Sequence, residues 1–182
     1  MYNCVITIPN YITSFRFGLH FIALFLAFQG QFLISFLLFV VLSLLDKADG
    51  ELARHYRQTS VFGRYFDGFV DKTVSLTWMA FFSMRLEYFP QWLFFIIFSR
   101  DMIGEGLRQY AAHMKLSTSG NILGKIKVVC QMVGTALCFL LLLPQFYQFA
   151  PVIGGSITVL FGGAALLGLL SLWSYVNGLL RK

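Results

Sequence analysis

Apolar residues run along this chain in six long stretches, roughly 11–28, 32–53, 62–84, 91–112, 122–144 and 152–178. Each is near the ~20 residues a helix needs to cross a bilayer. The polar breaks between them are short: Gln29-Gly30-Gln31, Arg54 to Ser60, Glu87 to Gln91 around Pro90, Lys115 to Asn121, and Pro144 to Pro151. None is long enough to be a domain of its own. The pattern predicts an all-α polytopic protein with six transmembrane helices, organised as a single membrane domain over residues 1–182. The opening MYNCVITIPN lacks a basic stretch and a small-residue cleavage site, so the first span is expected to act as its own insertion signal.

Composition agrees with a membrane assignment. The chain has 182 residues, 58% of them hydrophobic and 21 of them Phe, with a mean hydropathy of +0.73, far more apolar than a soluble domain requires. Of the 14 Lys and Arg, only Arg85 falls on the side reached by the first, third and fifth breaks. By the positive-inside rule this places both termini on the cytoplasmic side of the cytoplasmic (inner) membrane. The cations sit in short loops, so the basic balance does not imply nucleic acid as a partner. Cys4, Cys130 and Cys138 form no metal-ligand spacing and read as small core residues, and His20, His55 and His113 are scattered. Trp78, Trp92, Tyr88 and Trp173 read as interfacial belt residues. Gly154, Gly155, Gly162, Gly163, Ala164 and Gly168 are small positions that suit a homodimer seam and suit packing within one chain equally well.

The acids change the picture. Asp46, Asp49, Gly50 and Ala53 stand at i, i+3, i+4 and i+7 on one helical stripe, and Gly63, Asp67 and Asp71 repeat every four residues on the next. An ionised Asp in an apolar helix is costly unless paired, and so marks an ion site, a proton path or a catalytic centre. Two facing acidic stripes repel each other unless cations fill the space between them. Oxygen ligands without nearby His or Cys favour Mg²⁺, Mn²⁺ or Ca²⁺ over zinc. An acidic-site cation transporter would also use carboxylates, as would a helix pair held by a structural ion or by pairs to Arg54, Arg57 and Arg64. The later spans, however, offer only Asp101 and Glu105, in no matching frame.

Written out, the frame is D-x2-D-G-x2-A-R-x8-G-x3-D-x3-D, carried by Asp46, Asp49, Gly50, Ala53, Arg54, Gly63, Asp67 and Asp71. It resembles the signature of the CDP-alcohol phosphotransferase family at every fixed position. The resemblance implies that fold and an enzyme that moves a phosphatidyl group from a CDP-linked donor to an alcohol, with two Mg²⁺ or Mn²⁺ ions. It further implies that Asp46, Asp49, Asp67 and Asp71 are metal ligands and that Asp71 is also the general base. Asp49, Gly50, Ala53, Arg54 and Gly63, with Asn10 and Thr13, would hold the CDP donor. Small residues let the nucleotide approach the backbone, and the planar fork of Arg54 suits a phosphate.

The flanks narrow the acceptor. IPNYITSFR at 8–16 resembles the opening of the phosphatidylglycerophosphate synthases and of the related cardiolipin synthases, and RDMIGEGLR at 100–108 and LGKIKVVCQ at 123–131 resemble segments of the former, with Asp101 where Glu is usual and Gly68 where Pro is common. Arg100, Arg108, Lys125 and Lys127 would bring cations to an anionic acceptor. The expected reaction is transfer from CDP-diacylglycerol to glycerol 3-phosphate among membrane lipids, at the cytoplasmic face. The Arg100-Asp101 pairing also occurs in cardiolipin synthases of this fold, which makes phosphatidylglycerol the alternative acceptor. A bland role for the same cations is interfacial anchoring, with their heads reaching lipid phosphates.

Overall fold

The computed structural model describes residues 8–55, 61–114 and 122–180. Six α-helices form where the hydropathy pattern predicts them: α1 (Ile8–Phe28), α2 (Phe32–His55), α3 (Val61–Arg85), α4 (Gln91–His113), α5 (Ile122–Leu142) and α6 (Ala150–Leu180). A 3-10 helix, Pro144–Phe149, precedes α6, and no strand occurs among the described residues.

Punctuation residues set the visible ends. Gly30 has φ 81°, the left-handed conformation that glycine adopts without strain. There Gln31 N–H donates to Leu26 O at 2.9 Å and Gly30 N–H to Ala27 O at 3.1 Å. This Schellman pattern satisfies carbonyls that the end of α1 would otherwise leave bare. Pro144 stops α5 because proline disfavours helix at the residue before it, and Leu143 is extended at φ −89°, ψ 124°. Hydroxyls inside the apolar helices turn back on their own backbone: Thr77 donates to Thr73 O at 2.6 Å, Thr73 to Phe69 O at 2.9 Å and Ser43 to Phe39 O at 2.8 Å.

The chain forms two compact units, residues 1–77 and 78–182, with the boundary inside α3. In the first, α1 and α2 make an antiparallel hairpin. Ala23 and Ala27, fully buried at i and i+4, let the helices approach, and buried Ser35 of α2 donates to Ala23 O at 2.7 Å. In the second, α6 packs on both α4 and α5. Its core is aromatic: the Trp78 ring lies 4.9 Å from Phe139, 5.9 Å from Phe81 and 6.0 Å from Phe82, and Phe82 lies 5.0 Å from Phe139. Trp78 is therefore a core residue and not an interfacial one, whereas Trp92, Tyr88 and Trp173 are exposed. Two of the small α6 positions serve packing within the chain, since a Cβ at Gly154 would meet Tyr88 at 2.8 Å and one at Gly168 would meet Arg100 at 3.2 Å.

Among the described residues, three stretches are long and apolar enough to cross a membrane: Tyr11–Phe28, Ile122–Leu142 and Pro144–Gly178. α2 adds a shorter apolar run, Phe32–Leu45. α3 and α4 fall below that measure because they carry Asp67, Asp71 and Lys72, and Arg100, Asp101, Glu105 and Arg108, within their length. The outward faces still present Phe25, Leu37, Phe95, Val159 and Leu166, as a surface meeting lipid would.

The aromatic core generates a direct test. Phe139→Ala should lower the unfolding free energy in detergent by on the order of 3 kcal/mol, because a rigid ring cluster cannot close over the lost volume. Phe95→Ala, on the exposed side of α4, should change the same melting curve by less than about 0.5 kcal/mol.

Candidate active site

Helical periodicity puts Gly63, Asp67 and Asp71 on one stripe of α3, one turn apart. Two carboxylates so placed repel each other and need a positive partner. Arg16 of α1 supplies one. A single guanidinium nitrogen, Nη2, donates to Asp67 Oδ1 at 3.2 Å and to Asp71 Oδ1 at 3.5 Å. The Arg16 side chain is 6% exposed, and the two carboxylates are 49% and 50% exposed. Both contacts are long for hydrogen bonds to a charged nitrogen. The guanidinium is thus shared between the two acids and leaves about half of each side chain open to solvent.

These two acids suit a hard divalent cation. They offer only carboxylate oxygens, they are accessible, and one helical turn separates them. Gly63, half-buried a turn earlier, adds no side-chain bulk to the approach. Asp46, Asp49, Gly50, Ala53 and Arg54 lie in the last turns of α2, and their side chains are outside the described residues, as is that of Asn10 on α1. Among the described residues, no three acids, His or Cys converge on one point. Thr13 sits on α1 three residues before Arg16, and so on the face of α1 that carries the guanidinium.

The second unit holds the other charged centre. Asp101 on α4 takes two cations on the same oxygen: Arg100 Nη1 donates to Oδ1 at 2.9 Å, and Lys127 Nζ of α5 donates to that oxygen as well. Arg100 Nε also donates to Gly168 O of α6 at 2.8 Å. All three charged residues are buried, so this is an ion-pair clasp joining α4, α5 and α6. Gly168 makes room for it, since a side chain there would strike the Arg100 Cδ and Nε. Arg108 differs: its side chain is 53% exposed and lies 3.8 Å from Glu105. Lys125 is also exposed. Of the four cations expected at an acceptor site, the structure thus ties Arg100 and Lys127 to one carboxylate and leaves Arg108 and Lys125 on the surface.

Two charged residues have a part that sequence reasoning does not assign. Arg16 belongs to the IPNYITSFR segment, but only its setting signals a role, as a lone guanidinium inside an apolar helix that demands a carboxylate partner. Asp101 reads as a variant of an acidic position beside Arg100. Its partnership with Lys127, 26 residues away, is set by how α4 and α5 pack.

Comparison with known proteins identifies the family. The family model for CDP-alcohol phosphatidyltransferases matches residues 6–176. A protein of Salmonella paratyphi A named CDP-diacylglycerol--glycerol-3-phosphate 3-phosphatidyltransferase is 30% identical over 180 residues, covering 93% of each chain. A Rickettsia typhi protein of the same name is 30% identical over 138 residues, 73% of this chain and 76% of its own. One from Mycoplasma genitalium is 33% identical over 118 residues, 64% of this chain, and there the match spans only 50% of the relative's length. A match that begins before Arg16 and runs through both acid-bearing helices, the α4–α5 clasp and most of α6 covers every charged centre described above, and the chain belongs to the CDP-alcohol phosphatidyltransferase family.

Proposed function

We propose that the chain transfers a phosphatidyl group from CDP-diacylglycerol to glycerol 3-phosphate, giving phosphatidylglycerophosphate and CMP. The observation that carries this reading is the accessible Asp67–Asp71 pair bridged by a buried arginine. It lies within a chain that aligns over 93% of a relative named for that reaction. The six apolar stretches support six membrane spans, and the distribution of Lys and Arg supports termini on the cytoplasmic side of the inner membrane with an active site at that face. We read the two compact units as parts of one membrane domain over residues 1–182, since the family match runs across both. Gly155, Gly162 and Gly163, beside which an added Cβ would meet nothing, are the α6 positions that a homodimer seam would use.

The family's use of divalent metal ions suits the donor set here, and we assign Asp46, Asp49, Asp67 and Asp71 to hold two Mg²⁺ or Mn²⁺. Bound there, such ions would neutralise the pyrophosphate and the charge that develops on the leaving CMP. The rest of the work falls to the chain. Asp71 takes the proton from the acceptor hydroxyl as its oxygen bonds to the phosphatidyl phosphorus. The bond from that phosphorus to the bridging pyrophosphate oxygen breaks, and CMP leaves with both of its bonding electrons. Gly50, Ala53 and Gly63 let the nucleotide lie close to the helix backbone, while Arg54, Asn10 and Thr13 orient it.

The acceptor needs cations, because glycerol 3-phosphate presents a phosphate monoester. Arg100, Arg108, Lys125 and Lys127 are assigned to it in two ways. Exposed Arg108 and Lys125 make direct contact, whereas the Asp101 clasp fixes Arg100 and Lys127 and carries a net positive charge, two cations against one carboxylate.

Four outcomes are expected. CMP release should require CDP-diacylglycerol and a divalent ion together with glycerol 3-phosphate, and stop in excess EDTA. Asp67→Ala should abolish it, and Asp71→Asn should stop turnover while donor binding persists. A variant retaining a tenth of the wild-type rate would remove that residue from the mechanism. Arg108→Ala and Lys125→Ala should lower kcat/KM for glycerol 3-phosphate about tenfold to a hundredfold with donor affinity unchanged. Wild-type acceptor kinetics in both, with phosphatidylglycerol accepted instead, would move the assignment to a cardiolipin synthase. Asp101→Asn leaves two buried cations facing each other and should cost about 3–5 kcal/mol of stability, read by thermal unfolding in detergent.

A further inference from the structure

Arg16 lies in no part of the reaction described so far, yet it is a buried, permanently charged side chain aimed at the two described carboxylates. A guanidinium cannot shed its proton to relieve burial, so it needs anions, and Asp67 and Asp71 need a cation. Arg16 Nη2 reaches one oxygen of each, at 3.2 and 3.5 Å. A bidentate fork would engage two guanidinium nitrogens with one carboxylate. Nη2 reaches one oxygen from each of two acids and so spreads its charge across the stripe.

We propose that Arg16 is a built-in counter-ion of the divalent-cation site: from α1 it bridges Asp67 and Asp71 on α3, balances them when no metal is bound, and competes with the metal when it arrives. This rests on the proposed assignment of both aspartates as metal ligands. It follows that the metal-free bundle is held together partly by Arg16. Divalent ions bind less tightly than the acids alone would allow, because a fixed positive charge lies against two of their ligands. The site is thereby tuned toward exchangeable ions.

The sign of the effect separates this role from plain ligand positioning. If Arg16 mainly held the carboxylates in place, removing it would weaken metal binding; as a counter-ion, its removal strengthens binding. The test compares wild type with Arg16→Gln and Arg16→Lys, purified in detergent, by Mn²⁺ titration and by thermal unfolding in EDTA and in saturating Mn²⁺. Arg16→Gln should melt below wild type in EDTA, recover most of the difference in Mn²⁺, and bind Mn²⁺ about tenfold more tightly. Arg16→Lys keeps the charge and should return both readings toward wild type. If the Gln variant can be recovered only when Mn²⁺ is present during purification, that supports the proposal, and loss in Mn²⁺ as well overturns it. Equal or weaker Mn²⁺ affinity, or a metal-induced rise in melting temperature no larger than in wild type, also overturns it. Wild-type protein that binds no Mn²⁺ would refute the cation site itself, and this role for Arg16 with it.

Discussion

Charge inside an apolar helix bundle must be answered by opposite charge, and in this protein that constraint decides where the charged centres sit. A lone ionised carboxylate or guanidinium against hydrocarbon costs several kcal/mol, by roughly the amounts that keep such residues out of membrane helices. The chain nevertheless places acids and cations within α3 and α4, at the expense of the hydropathy that would mark both as spans. Each described charge in the interior is met. Arg16 meets Asp67 and Asp71, and Asp101 meets Arg100 and Lys127.

The two centres answer the constraint differently, and the difference bears on function. In the α4–α5–α6 clasp all three charged groups are buried, and Arg100 is tied further to the α6 backbone. Such a closed arrangement fixes helices and orients side chains. In the α1–α3 centre the cation is buried but the acids remain half open. That arrangement balances charge without closing the carboxylates to an incoming cation. The small-residue contact of α1 with α2 supports the helix that presents Arg16 to the second centre.

Much of this was legible in the chain. Six apolar stretches give six helices with ends displaced by only a few residues, because Gly30 and Pro144 are strong breakers whose effect is local. The acid spacing placed Asp67 and Asp71 on one stripe for the same reason, since helical periodicity needs no tertiary information. Tertiary facts were less visible. Trp78 reads as interfacial because an amphipathic ring near a span end or face prefers the interface, whereas packing with Phe81, Phe82 and Phe139 buries it. Arg100 and Lys127 looked like two members of one acceptor site, and their shared bond to Asp101 depends on how α4 meets α5. Arg16 went unassigned because its partners lie 51 and 55 residues further along the chain.

The central claim is that the acids of α2 and α3 are completed by a pair of divalent ions. Electron paramagnetic resonance of Mn²⁺ titrated into metal-free protein in detergent tests it most directly. The account predicts about two ions per chain with a spectrum showing spin coupling between neighbours, as in two-metal sites whose ions lie roughly 3.5–4 Å apart, and loss of that spectrum in Asp46→Ala. A free-Mn²⁺ signal undiminished by stoichiometric protein, or a bound signal that survives in Asp46→Ala, would contradict it.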